Sequence, residues 1–224
     1  MKNSFVALVP LRGGSKSIPK KNIKPIANKP LCYWTISAAI KSPLIDKIYI
    51  STDSKEIIDV IQSFNFNLEI ILRPDELATD TASTEDVMIH LMKEVDFDNL
   101  VLIQATSPLL TDKDLNNGIK IFQENSYDSL LTAVRTKRFF WDNNFKPINY
   151  DFLNRPRRQD FEGLLMENGA FYICKRSILE IYNSRLAGKI GIYEMDEDTA
   201  IEIDEPSDWE IVENLLKKRE SFNH

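Results

Sequence analysis

Residues 5–23 read FVALVPLRGGSKSIPKKNI. The first seven, FVALVPL, form a short continuous apolar run, which suits a strand covered on both faces rather than an alternating, half-solvated one. The apolar run ends at Leu11. Within the next dozen residues come two glycines, two serines, a proline, an arginine and three lysines. A buried strand feeding a mobile cationic loop is the first step of an open α/β sheet, whose ligands bind at the carboxyl ends of the strands.

The rest of the chain continues that rhythm. Pro30 opens LCYWTISAAIKS, a helix with Pro in its first turn. KIYIST (47–52) is a strand, and Ser54 is placed to cap the helical pattern that ends near residue 64. LEIIL (68–72) is a strand. Ser83 or Thr84 can cap EDVMIHLMKEV, and Ser83 with Asp86 resembles a capping box with Asp in place of Glu. NLVLIQ (99–104) is a strand, DKDLNNGIKIFQEN (112–125) a helix and SLLTAV (129–134) a strand. After an interruption come GAFYICK (169–175) as strand, ILEIYNSRL as helix, IGIYEM and TAIEID as short strands, and PSDWEIVENLLKKRES as a closing amphipathic helix with Pro206 and Ser207 at its start. Strands alternating with helices imply βαβ units, a mostly parallel sheet and right-handed crossovers. The interruption, about 136–165, is aromatic and basic with no helical period and is too long for an ordinary connection. It is expected to be an arm inserted into one domain spanning 1–224, one that covers a site, contacts a partner subunit, or both.

Composition narrows the function. The chain has 224 residues, with 28 Lys+Arg against 34 Asp+Glu and a formal net charge of −6. That length is ample for a core. The acidic balance disfavours a general nucleic-acid binder, and it makes a local basic cluster more informative. No run approaches the roughly 18 apolar residues of a membrane span, and the N-terminus reads as a strand rather than a signal peptide. A cytoplasmic location is expected. Cys32 and Cys174 lie in apolar runs and are expected to be small buried hydrophobes. His90 falls in a helix and is expected to be a satisfied packing residue; His224, at the very end, is expected to fray.

Four segments at predicted strand ends carry polar chemistry. In the first, Gly13 and Gly14 let backbone N–H groups approach an anion, Ser15 adds a hydroxyl, and Arg12, Lys16 and Lys21 add charge. It is neither a P-loop nor a dinucleotide fingerprint. Such a loop either cradles a polyphosphate or is simply solvated. In the second, RPDELATDTAST, small hydroxyl residues either bond a ribose or base or form a turn feeding a helix cap. In the third, QATSPLL, Gln104 either meets a ligand or the Ser107-Pro108 pair stops a strand. In the fourth, IEIDEPSDW, Glu202 and Asp204 are two apart on a predicted strand and share a face. Two like charges there need a cation between them or screening by water. Mg²⁺ held by one or two carboxylates plus substrate phosphates is the matching pattern. Metal, polyphosphate and cationic loop together suggest nucleotidyl transfer.

In this order, RGGSKSIPKKNI, STD (51–53), RPDELATDTAST, QATSPLL, ENGAFYI (167–173) and EID (202–204) resemble the acylneuraminate cytidylyltransferases, the CMP-nonulosonic acid synthetases. The resemblance runs over nearly the whole chain. It implies a Rossmann-like three-layer αβα nucleotide-sugar transferase fold, a homodimer joined through the arm, and Mg²⁺ as cofactor. It implies CTP as donor and a nine-carbon nonulosonic acid as acceptor, CMP passing to the anomeric hydroxyl as pyrophosphate leaves. It places Arg12, Lys16, Lys21 and Asn22 around the triphosphate and cytidine, and Ala82 and Thr84 near the nucleoside. Gln104, Arg158 and Asn168 fall near the sugar, and Glu202 and Asp204 on the metal. Arg12, Lys16, Lys21 and Asp204 are the expected catalytic set. The departures are Glu202 where an aspartate is common, Asp142 where a lysine is common, and Met166 and Leu110 where arginines are common. Most fall on the sugar side, so the acceptor class is implied but not the individual acid: legionaminate and pseudaminate fit as well as N-acetylneuraminate. An eight-carbon keto-deoxy acid as acceptor, or a catalytically silent nucleotide-binding scaffold, are the two other readings.

Overall fold

A computed structural model describes residues 3–221. His224, expected to fray, lies outside the described residues. The elements in chain order are β1 (Phe5–Pro10), β2 (Pro25–Ile26), β3 (Lys29–Pro30), α1 (Leu31–Lys41), β4 (Lys47–Thr52), α2 (Lys55–Ser63), β5 (Glu69–Leu72) and α3 (Thr84–Glu94). They continue with β6 (Asn99–Ile103), α4 (Asp112–Glu124), β7 (Ser129–Thr136), β8 (Leu164–Lys175), α5 (Arg176–Tyr182), β9 (Ile190–Met195) and α6 (Pro206–Ser221).

Seven strands form one sheet in the order β5-β4-β1-β6-β8-β7-β9. β5, β4, β1 and β6 run parallel, and β7 and β9 are parallel to each other. β8 is antiparallel to both its neighbours. The continuous apolar run of β1 is the central-strand signature: Phe5 to Val9 are all buried, with helices on both sides. On one face α1, α2 and α4 pack through Cys32, Ile36, Ile57, Ile61, Leu115, Ile119 and Phe122. On the other, α3 and α5 pack through Val87, Met88, Leu91, Ile178 and Leu179. The three-layer αβα architecture is therefore as expected. The β2–β3 hairpin and α6 form a third apolar cluster around Leu31, Ile203, Val212 and Leu216.

Local signals set most helix ends. Ser54 accepts from the Ile57 amide, and Ser83 and Asp86 form a full capping box. Thr111 and Asp114 form another. Pro30 is the N-cap of α1 rather than a first-turn residue. α5 stops at Tyr182, short of the expected ILEIYNSRL, because Asn183 turns left-handed (φ 49°) and its N–H closes back on Leu179 O. The expected strand TAIEID is absent: Glu197–Ala200 is a 3-10 turn tied by Thr199 N–H to Asp196 O, and Ile203 makes one backbone bond, to Thr106 O. β8 starts at Leu164, five residues before the expected Gly169, because it pairs with the extended end of β7.

The segment between β7 and β8 is irregular, apart from a single bridge between Trp141 and Pro147. It carries its own aromatic cluster, Phe139 against Tyr150 and Phe161, with Arg155 over Phe139. Phe145, Phe152 and Leu153 stand in solvent. Cys32 and Cys174 are free and buried, and burial pushes each thiol up to about 12. His90 corrects the expectation of a satisfied histidine: its buried Nδ1 has no partner among the described residues, and its helix neighbours Ile89 and Leu91 offer none. Among the described residues, no helix is long and apolar enough to cross a membrane.

Candidate functional site

β1 and β6 are adjacent, and the chain builds outward from them in both directions. That switch point is where an open α/β sheet leaves a crevice at its carboxyl edge. A cleft of about 530 Å³ opens there. Pro10 and Arg12 from the end of β1, Arg73 from the end of β5, and Gln104, Ala105 and Thr106 from the end of β6 all line it. Ala82, Ser83 and Thr84 at the start of α3, and Glu202 and Asp204, complete the wall.

The basic loop is pinned at three points. The Leu11 amide donates to Ser51 O, Ile18 is buried, and Asn22 Nδ2 donates to Arg12 O at 3.0 Å. Between these points Gly14, Ser15, Lys16 and Ser17 face the cleft, and Lys21 and Asn22 line it too. Lys20 turns away to pair with Glu56 on α2. Gly13 differs from expectation: its amide already donates to Asp53 Oδ1 at 2.9 Å, so it is not free to meet an anion, and it does not line the cleft. Its need for glycine is steric, since a Cβ there would come within 2.9 Å of the Ser54 Cβ.

Two cations of the loop converge on one carboxylate. Asp80 takes Arg12 Nη1 at 2.8 Å on one oxygen and Lys16 Nζ at 2.7 Å on the other. The Lys16 hydrogen bond, ahead of Arg12, holds the Asp80 carboxyl below the usual range despite its exposure. Arg73 lies behind them, buried, its Nε donating to Ser51 Oγ and its Nη2 to Ser51 O. Burial lowers its pKa, with Asp53 acting the other way and Arg12 reinforcing the fall. It forms no ion pair among the described residues. A buried guanidinium at the end of a strand is a cation awaiting an acceptor.

The opposite end is acidic. Glu202 and Asp204 both line the cleft, though from an irregular segment and not from one face of a strand. Their surroundings differ. The Asp204 side chain is 70% exposed and pairs with Lys21 Nζ at 3.3 Å, and Lys21 also donates to Ile203 O at 2.9 Å. Glu202 is half-buried, and its carboxyl is pushed up to about 7, first by burial and then by the charges of Asp204 and Glu167; Lys21 opposes the rise. A hollow admits it. Gly169 sits at φ 62°, and a Cβ there would lie 2.3 Å from Glu202 Oε1 and 2.7 Å from Gln104 Oε1. Any side chain at 169 would enter the space these two groups use.

The three expected sugar residues divide. Gln104 lines the cleft. Asn168 does not line the cleft: it is buried, with Nδ2 donating to Thr199 O and Oγ1, while Oδ1 has no partner among the described residues. Arg158 does not reach the cleft. It lies on the arm, exposed, 3.9 Å from Glu197, because the arm leaves the sheet at Thr136 and returns at Leu164. The residues not foreseen are Arg73, Asp80 and Glu167. For all three a signal existed: Arg73 and Asp80 lie in the quoted RPDELATDTAST directly after a strand, and Glu167 opens the quoted ENGAFYI.

A cleft with cations at one end and carboxylates at the other, at the switch point of an αβα sheet, fits a polyphosphate donor and a second, hydroxylic substrate. Comparison with known proteins agrees. The chain is 36% identical over 218 residues to N-acylneuraminate cytidylyltransferase A of Danio rerio, covering 94% of this chain and 50% of that protein. It is 32% identical over 220 residues to the post-translational flagellin modification protein B of Campylobacter coli, covering 93% of each. The chain spans about half the length of the fish N-acylneuraminate relatives it matches. In fold it is similar to a structure of CMP:2-keto-3-deoxy-manno-octonic acid synthetase complexed with CTP, with a TM-score of 0.75 at 17% identity over 96% of this chain and 99% of that one. The sequence profile of the cytidylyltransferases matches residues 6–223, and the chain belongs to that family.

Proposed function

We propose that the chain transfers CMP from CTP to the anomeric hydroxyl of a nine-carbon nonulosonic acid, releasing pyrophosphate. The observation that carries the reading is the division of one cleft into a cationic end and a carboxylate end, in a chain whose relatives include N-acylneuraminate cytidylyltransferases. The acceptor oxygen forms a bond to the α-phosphorus, the bond from that phosphorus to the β-phosphate oxygen breaks, pyrophosphate leaves, and the hydroxyl proton passes to solvent. The protein's part is positioning and charge neutralisation. Arg12, Lys16, Lys21 and the buried Arg73 meet the triphosphate, with Gly14, Ser15 and Asn22 beside it. Ala82 and Thr84 face the nucleoside. Gln104 faces the sugar acid.

Glu202 and Asp204 suit Mg²⁺. They are two mutually repelling carboxylates in one cleft. Mg²⁺ takes one or two carboxylates and completes its shell with water and phosphate oxygens. Bound there, it would neutralise phosphate charge and lower the pKa of the acceptor hydroxyl. The solvent-facing apolar side chains of the arm, Phe145, Phe152 and Leu153, support a homodimer. A cytoplasmic location fits the substrates.

The test is pyrophosphate release from CTP and Mg²⁺ with N-acetylneuraminate, legionaminate, pseudaminate and an eight-carbon keto-deoxy acid in turn. Release with a nine-carbon acid is expected. Release with the eight-carbon acid alone would favour the second reading, which the fold likeness alone supports. Asp204→Ala is expected to remove nearly all turnover with the melting temperature unchanged; wild-type rates in that variant would refute the metal assignment.

A further inference from the structure

Glu167 is a carboxylate that the proposed chemistry leaves without a task. Its placement depends on an irregularity in the sheet. Leu131 of β7 pairs with Tyr172 of β8, yet Ala133 pairs with Glu167, so β8 bulges between them. Leu131 and Ala133 are two apart and share a face, so the bulge brings Glu167 and Tyr172 onto one face although they are five apart in sequence. The Tyr172 hydroxyl donates to Glu167 Oε1.

Tyr172 is itself held. The Arg185 guanidinium lies 4.8 Å over its ring, and Arg185 grips Glu85 at two points, Nε to Oε1 at 2.6 Å and Nη2 to Oε2 at 3.0 Å. Glu85 is in the first turn of α3, next to the cleft residues Ser83 and Thr84. Buried Tyr172, with the partly buried Arg185 and Glu85 behind it, thus orients one exposed carboxylate. A surface glutamate with no task keeps its rotamer freedom; this one is fixed through Oε1, while Oε2 has no hydrogen-bond or ion-pair partner among the described residues. Glu167 is not in the cleft wall itself but stands beside it on β8, two residues before Gly169. Gln104 and Glu202 bring their own acceptor oxygens together over Gly169 at that end. Such a neighbourhood takes hydrogen-bond donors.

We propose that Glu167 is a specificity-determining residue of the acceptor site, its Oε2 taking a hydrogen bond from a hydroxyl or amide N–H of the sugar acid while Tyr172 fixes its orientation. The inference rests on the sugar-acid reading above.

The experiment is steady-state pyrophosphate release by wild type, Glu167→Ala, Glu167→Gln and Tyr172→Phe, with the acceptor varied at saturating CTP and CTP varied at saturating acceptor. The acceptor is the nonulosonic acid that wild type turns over fastest, and each variant's melting temperature is recorded. Glu167→Ala is expected to raise the acceptor KM roughly tenfold or more, the loss of one charged hydrogen bond, with the CTP KM within about twofold of wild type. Glu167→Gln, which keeps one acceptor oxygen, falls between, and Tyr172→Phe shifts the acceptor KM in the same direction by less. An unchanged acceptor KM in Glu167→Ala overturns the proposal. So does an equal rise in both KM values, which means that the network only braces α3. If wild type releases no pyrophosphate with any acid while CTP raises its melting temperature, the sugar-acid reading fails and takes this proposal with it. An active wild type with an indifferent Glu167→Ala removes the proposal alone.

Discussion

At one end of the cleft the working groups hang from a loop; at the other they stand over a strand. Arg12 and Lys16 are side chains of the irregular segment after β1, 36% and 78% exposed, and an internal anion, Asp80, already meets their charge. Glu202 and Gln104 close on the backbone of β8 through a hollow that exists only because residue 169 has no side chain. Long-range charge does the work at the first end. It tolerates small displacements and is screened by salt. Short-range shape does the work at the second, where a few tenths of an ångström matter. The difference teaches that donor and acceptor recognition fail in different ways, and each substitution below separates them.

Lys21 joins the two ends and should give the largest effect. Its side chain is 14% exposed, and its Nζ reaches both Ile203 O and Asp204. Lys21→Ala removes a phosphate cation and unties the segment that carries both acids. Turnover is expected to fall on the order of 10²- to 10⁴-fold. A rate within a fewfold of wild type would mean that the two ends are independent and the basic loop is a solvated turn.

Gly169→Ala comes next and acts on one end only. The added Cβ would meet the ends of two flexible side chains, so Glu202 and Gln104 move while the sheet stays. The left-handed φ of 62° adds a strain of about 1 kcal/mol for a non-glycine residue. The expected signature is a fall in kcat/KM for the acceptor of about 10²-fold, with CTP binding by calorimetry unchanged. A matched loss of CTP affinity would show that the ends are not separable.

How far the sequence reveals these ends differs too. The donor loop announces itself, because glycines and lysines after an apolar run are adjacent in the chain. The capping at Ser54 and at Ser83–Asp86 is visible for the same reason: each signal spans three or four residues. The acceptor end is assembled from pieces far apart. Lys21 meets Asp204 from 183 residues away, and Glu85 grips Arg185 across a hundred. An apolar run cannot disclose its direction, so antiparallel β8 and its bulge stay hidden, and with them the pairing of Glu167 with Tyr172. Glu202 and Asp204 alternate with Ile201 and Ile203, the pattern of a strand. The sheet has no neighbour for that strand, and the segment stays irregular. Arg158 fails because membership in a motif says nothing about where a long irregular arm carries it.

The pH dependence of folding probes the acceptor end without any substrate. Burial first, then the charges of Asp204 and Glu167, raise the Glu202 carboxyl to about 7, above its unfolded value of about 4.3. The folded state then holds this proton more tightly than the unfolded one. Its contribution is greatest below about pH 4.3, declines as pH rises toward 7 and is flat above. In metal-free buffer the urea midpoint of wild type is expected to fall further between pH 5 and pH 8 than that of Glu202→Gln. Equal falls in the two proteins would place Glu202 in water.

The smallest effect belongs to the donor end. Asp80 bridges Arg12 and Lys16, and its carboxylate stands where an anion between the two cations would stand. Triphosphate binding then replaces one anion by another, so part of the attraction is spent on displacing Asp80. Asp80→Asn keeps the shape of the side chain and removes that competition. Because both pairs are exposed, the gain in CTP affinity is expected to be only about two- to fivefold. It should shrink as salt rises, because the Debye length falls from about 10 Å at 0.1 M to about 3 Å at 1 M. The acceptor KM should not move. Calorimetric titration of CTP at low and high salt reads both quantities. Weaker CTP binding in Asp80→Asn would show that Asp80 orders the loop for the nucleotide instead of competing with it. The donor end would then be built by shape as much as by charge, and the contrast with the acceptor end would collapse.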